Sequence, residues 1–133
     1  MNIGQLNGII INDMTQEEKE LLLKDLSARL PYDVKVHIID DDDCIMVCKL
    51  DNETINFVGS WDIKPYLRPM FSMTEEEKKT VKSYIALFQK GVGFYDEGAT
   101  FLTDFYNEHH LDYRGLIEKG LALEAPEGMY KID

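Results

Sequence analysis

The polar and apolar positions change period twice along the chain, and the changes divide it into three parts. In the first part Leu22, Leu23, Leu26 and Leu30 recur at helical spacing, which sets a leucine stripe on one face of a helix. Thr15-Gln16-Glu17-Glu18 precedes the stripe as a capping box: the Thr15 hydroxyl accepts from a free amide and the Glu18 carboxylate reaches back. Pro31 forbids continuation. The pattern predicts a helix over 15–29. A short edge strand in Gly8-Ile9-Ile10-Ile11, ended by Asn12-Asp13, is expected before it.

In the middle part the period becomes two. Val34, Val36 and Ile38 alternate with Lys35 and His37, and Ile45 and Val47 alternate with Met46 and Cys48. Asp40 to Asp43 read as the loop between the two runs. With four loop residues, Ile39 opposes Cys44 and Ile38 opposes Ile45, so Val34, Val36, Ile38, Ile45 and Val47 share one face. A third run, Thr54 to Val58, follows Asp51-Asn52. A two-residue turn there would put Ile55 and Phe57 on the opposite face from the valines. A three-residue loop restores them to it. The three-residue loop is preferred, because misplacing an Ile and a Phe costs roughly 1.5–3 kcal/mol each. The expectation is an antiparallel meander with one buried face, Lys35 and Lys49 lying outside.

Trp61 to Pro69 reads as an irregular connector held extended by Pro65 and Pro69. Helical spacing then returns. Thr74-Glu75-Glu76-Glu77 is a second capping box, and Val81, Tyr84, Ile85 and Phe88 form a stripe ending near Gly91. Gly91-Val92-Gly93 and Gly98 bracket a loop. Phe101, Leu102, Phe105, Tyr106 and His109 form a third stripe. Asp112 is expected to cap a short fourth helix and Gly120 to end it in a left-handed conformation, with Leu121 folding back onto Leu116 and Leu123 entering the core. Ala125-Pro126-Glu127-Gly128 is a turn.

Charge narrows the function classes. Among 133 residues, 25 acids oppose 14 bases, a net charge of −11. That balance opposes nucleic-acid phosphates and anionic membranes. No window approaches the ~18 apolar residues of a membrane span, and no basic start leads into an apolar core as in a secretory signal. The two cysteines, Cys44 and Cys48, are too close together to staple distant elements and are expected to stay reduced in a cytoplasm.

Candidate chemistry is thin. Asp40 to Asp43 lack the glycine and distal glutamate of a calcium loop. The expected register sets His37, Cys44 and Cys48 on the non-core face of one hairpin, yet the cysteines are only diagonal neighbours of His37, and zinc would need a fourth ligand. His109 and His110 point about 100° apart on a helix and cannot chelate one ion there; the negative helix end accounts for them. No nucleophile elbow, phosphate loop or His-Glu-x-x-His motif is present. The C-terminal helix pair has a helix-turn-helix outline, but Arg114 and Lys119 are offset by Asp112 and Glu118, a poor phosphate reader. No cofactor and no metal site are expected.

Three blocks carry a resemblance: Leu23-Lys24-Asp25-Leu26-Ser27-Ala28-Arg29-Leu30-Pro31-Tyr32; Ile63 to Met70 with Ser72 to Glu77; and Asn107 through Tyr130. They resemble blocks of small hypothetical proteins of Bacteroides-type gut bacteria, their prophages and mobile elements. The resemblance implies lineage and a cytoplasmic setting, and it carries over no catalytic or binding residue. The strands between 34 and 58 lie outside it.

The expected architecture is one α+β domain, a three- to four-stranded antiparallel meander packed with about four helices. Residues 1–31 give a strand and the first helix, 32–60 the meander, 61–73 the connector and 74–133 a helical part. The function expected is non-enzymatic, a protein-interaction or regulatory role in a phage or mobile element. Its partner surface would be Trp61, Tyr66, Arg68, Met70 and Phe71, residue types enriched at interface hot spots. The competing reading of that connector is a strap whose aromatics lie on the core. Two rival functions are an acidic nucleic-acid mimic, which inhibits a DNA-binding protein, and a small enzyme with a site no motif announces.

Overall fold

Both capping boxes form as read. In the computed structural model, which describes residues 14–90 and 95–130 (side chains of 88–100 excepted), the Thr15 hydroxyl accepts from the Glu18 amide at 3.0 Å. The Glu18 carboxylate accepts from the Thr15 amide at 2.8 Å. They open α1 (Gln16–Arg29), whose Leu22 and Leu26 are fully buried. Leu30–Tyr32 make one 3₁₀ turn, and Asp33 at φ +59° swings the chain into β1 (Lys35–Ile39). The apolar run at Gly8–Ile11 and the loop glycines Gly91 and Gly93 lie outside the described residues.

The hairpin to β2 (Ile45–Lys49) differs from expectation by one residue. Ile39 pairs with Ile45, Ile38 with Met46 and Val36 with Cys48, so the loop has five residues, not four. The physical cause is local. Asp40 Oδ1 accepts from the amides of Asp42 and Cys44, both at 2.9 Å, and Asp43 takes the extra residue into a left-handed turn at φ +62°. A one-residue slip sends every side chain of the strand to the other face. Val34, Val36 and Ile38 are buried as expected, whereas Ile45 and Val47 point outward.

The third strand is also displaced. Thr54–Phe57 is a 3₁₀ turn, started by Asp51 Oδ1 accepting from the Thr54 amide at 2.8 Å. Ile55 is half-buried and Phe57 exposed. The strand that pairs with β1 is β3 (Asp62–Leu67), inside the segment read as connector. Its Ile63, Pro65 and Leu67 are buried, alternating with Lys64 and Tyr66. Pro65 is tolerated for a reason of register. Asp40 and Leu50 both bond across the hairpin from amides of the Val36 phase, so Val36 turns its peptide groups to β2. Its partner on the other side, Pro65, therefore needs no donor toward β1. On the far side of β3, β4 (Leu123–Glu124) pairs with Tyr66 and Leu67.

The Thr74–Glu77 box opens α2 (Glu75–Lys90), and α3 (Tyr95–Glu108) follows. Gly98 lies within α3 rather than in a loop; glycine costs a helix interior only about 1 kcal/mol. The stripe of α2 is correct at Val81, which is buried, and Tyr84, which is half-buried, but Ile85 is exposed. The fourth helix does not form. Residues 113–120 make successive turns, with Asp112 Oδ1 and Oδ2 accepting from the amides of Leu116 and Ile117 at 2.8 and 2.9 Å. Gly120 is left-handed as expected, at φ +77°, and the Leu121 amide bonds the Leu116 carbonyl. Leu121 and Ala122 are buried, while Leu123 is half-buried in β4.

The described residues form one small α+β domain of three helices and a four-stranded sheet in the order β2-β1-β3-β4. The sheet is mixed rather than purely antiparallel, because β4 runs parallel to β3. α1, the 113–122 turns and the inner face of the sheet enclose the main core. A second cluster, Val81, Phe105 and Leu111, joins α2 to α3. No helix among the described residues is long and apolar enough to cross a membrane.

Candidate interaction surface

The five connector residues are dealt to different environments. Trp61 is half-buried, lies flat on Phe57 with ring centroids 3.9 Å apart, and donates its indole N–H to Asp41. Tyr66 sits on the outer face of β3, its ring edge-on to His37 at 6.2 Å. Arg68 is buried: its guanidinium grips both oxygens of Glu77 at 2.9 and 2.7 Å and donates to the carbonyls of His109 and Ser72. Met70 is half-buried against the second cluster. Phe71 alone of the five stands free, 83% exposed on the turn Met70–Ser72. For most of its length the segment is a strand and strap on the core.

The register of β2 produces a different surface. Ile45 and Val47 are 68% and 52% exposed, on the outer face that also carries Ile39, His37 and Tyr66. Among the described residues β2 is an edge strand. The Leu50 amide bonds Val34 and the Asp40 amide bonds Cys44, so the alternation of an antiparallel ladder turns the peptide groups of Cys44, Met46 and Cys48 toward β1. Those of Ile45, Val47 and Lys49 face outward, and among the described residues no strand lies beside them. An apolar edge of this kind is what proteins ordinarily blunt. Here the one blunting charge is Lys49, whose ammonium makes an exposed pair with Asp33 at 3.5 Å. Sequence reasoning assigned Ile45 and Val47 to the core; counting five loop residues would have found them.

The buried polar groups belong to the frame. Asp25 and Arg29, both fully buried, pair at 2.8 Å; Arg29 also donates to the Leu111 carbonyl, and Arg114 closes on Asp25 at 3.1 Å. The Arg68 guanidinium holds the Glu77 carboxyl below the usual carboxylate range, and Glu77 meets His109 Nδ1 at 3.3 Å. His110, at φ +61°, stacks on Tyr130 at 3.8 Å; burial, then the Arg29 charge, pushes its imidazole down to about 4. The Tyr130 hydroxyl accepts from the Lys35 amide at 2.9 Å and donates to the Tyr66 carbonyl at 2.8 Å, and burial pushes it up to about 12.

The cysteines and histidines do not converge. The slip puts Cys48 on the face opposite His37, half-buried, its thiol pushed up by burial and by Asp51. Among the described residues no group of three His, Cys, Asp or Glu side chains is placed to hold a metal ion. A pocket of about 230 Å³ opens beside Arg68, Ser72 and Tyr130, with Glu124 and Glu127 on its wall. That is smaller than the roughly 300–1,000 Å³ typical of ligand clefts, and its one arginine is already engaged by Glu77. The geometry singles out the β2 edge and outer face instead. Comparison with protein-family models, with curated proteins and with solved structures finds no match for the chain.

Proposed function

We propose that this chain is a protein-interaction domain, without chemistry of its own, that takes an extended protein segment along β2. The observation that carries the proposal is the outward exposure of Ile45 and Val47 on a strand whose outward peptide groups have no partner strand among the described residues. Strand addition at such an edge supplies main-chain hydrogen bonds for affinity and alternate side chains for selectivity. The resemblance of the 107–130 block supports a phage or mobile-element setting. The test compares the wild-type chain with Val47→Pro and with Phe71→Ala as baits in the native host. Val47→Pro removes an outward N–H and leaves the β1 ladder intact, so it should lose partners that the wild type recovers, at an unchanged melting temperature. Partners retained by Val47→Pro and lost by Phe71→Ala would move the surface to the Met70–Ser72 turn and refute the proposal.

A further inference from the structure

Resting on the reading of β2 as an interaction edge, we propose that the segment docked there is β2 of a second copy of this chain, running antiparallel. The charge along the edge is the reason. Asp40 to Asp43 stand at one end of the strand and Lys49 at the other, with Ile45 and Val47 between them. Reversed on itself, that pattern is complementary.

The outward peptide groups belong to odd-numbered residues, so the allowed registers pair odd with odd. In the register centred on Met46, Ile45 lies opposite the partner's Val47 and Lys49 reaches the partner's Asp40–Asp43 turn. Lys49 of each copy meets the acidic turn of the other on either side of a cluster of four β-branched side chains, and the ladder bonds run through Ile45 and Val47. Sliding the centre to Val47 sets Lys49 against the partner's Ile45 and brings the Asp40–Asp43 turn toward the partner's Asp51, like charges together. Cross-strand pairing penalises that arrangement. The self-paired edge would join two four-stranded sheets into one of eight and bring the exposed Ile45 and Val47 of both copies into lateral contact. Lys49 exchanges an exposed pair with Asp33 for one beside a docked strand.

The same register makes a signature that no collision can imitate. Cys44 falls opposite the partner's Cys48 as a non-hydrogen-bonded pair, with alpha carbons about 4.5 Å apart, within the 4.4–6.8 Å range of a disulfide. Within one chain the two cysteines are four residues apart along a strand, roughly 13 Å, and cannot bridge. Each cysteine is equally far from its own counterpart in the partner.

The experiment treats the full chain with diamide, which takes up the two electrons and two protons released as each disulfide forms, and reads dimers on a non-reducing gel beside sedimentation. The wild type should sediment as a concentration-dependent dimer and cross-link. Cys44→Ser alone and Cys48→Ser alone should stay uncross-linked, whereas an equimolar mixture of the two should cross-link. Val47→Pro should reduce the cross-linked fraction roughly tenfold or more, through lost ladder bonds. Cross-linking of either single variant as fast as the mixture would overturn the register. A wild type that stays monomeric while Val47→Pro still loses host partners would overturn self-pairing and leave the edge reading intact. A monomer with slowly exchanging amides at Ile45, Val47 and Lys49 would assign the edge to another part of the same chain, again overturning self-pairing. If Val47→Pro alters neither association nor partners, both readings fall.

Discussion

Replacing Asp112 by alanine removes the carboxylate that organises the whole 112–121 segment. Asp112 is buried, and its two oxygens satisfy the Leu116 and Ile117 amides at 2.8 and 2.9 Å. The Leu116 amide lies inside the protein, so it forfeits its partner without gaining water, at about 1–3 kcal/mol. The Ile117 amide is only partly covered, and its loss is worth roughly 0.5–1.5 kcal/mol. Together the substitution should cost about 2–4 kcal/mol. This exceeds the ~1 kcal/mol of an ordinary helix cap, because the segment is a run of turns with a single i→i−4 bond, Lys119 N–H to the Gly115 carbonyl, to fall back on. With an unfolding entropy near 2.1 cal/mol/K per residue, each kcal/mol moves the melting temperature of a chain this size by about 4 °C, so a fall of roughly 7–15 °C is expected. Asp112→Asn keeps one acceptor and should fall between. Urea unfolding followed by circular dichroism, with equal slopes required of all three proteins, gives the free energies directly. An alanine variant within about 0.5 kcal/mol of wild type, the ordinary range of surface changes, would show that the turns are held by Leu116 and Leu121 packing alone.

Asp25→Ala should destabilise by roughly 3–5 kcal/mol, since it strands a fully buried Arg29, while the double change Asp25→Leu/Arg29→Met should recover most of the loss in the same unfolding assay. The depressed His110 pKa makes stability fall with acid: the unfolded imidazole takes its proton near 6.5, the folded one only near 4, so denaturation midpoints should decline as the pH falls between those values. His110→Asn, which tolerates the positive φ, should flatten that decline; an unchanged slope would place the titration elsewhere. Gly120→Ala meets no atom within 4 Å but must hold φ +77°, so a loss of about 1 kcal/mol should appear in thermal melts as backbone strain alone.

What was legible in the sequence was whatever local chemistry decides. Thr15 with Glu18 and Thr74 with Glu77 cap helices by contacts three residues apart, and Leu22 and Leu26 can face only one way once that helix exists. Gly120 kept its left-handed turn even though the helix before it did not form. What was hidden depended on partners far along the chain. The hairpin length turned on Asp40 accepting two amides and Asp43 turning left-handed, alternatives that alternation alone cannot rank. The strand at 62–67 was masked by Pro65, whose missing donor matters only once β1 and β4 fix which side it faces. The candidate surface followed from that hairpin error, because the slip that spoiled the expected face is what set Ile45 and Val47 outside.

The Tyr130 hydroxyl, wedged between the Lys35 amide and the Tyr66 carbonyl, has a consequence in time. Lys35 and its hydrogen-bond acceptor are 95 residues apart. Ribosomes add about 5–20 residues per second, so the first amide of β1 waits roughly 5–20 s for that oxygen after its own synthesis. Over the same interval Leu67 lacks β4, and Leu22 and Leu26 lack the lid that Leu116 and Leu121 provide. The nascent chain therefore carries β3 without its outer neighbour and α1 without its cover until residues 113–130 emerge, and closure waits for them. The seconds before it are when this protein is most exposed to chaperones, to proteases and to neighbouring copies of itself.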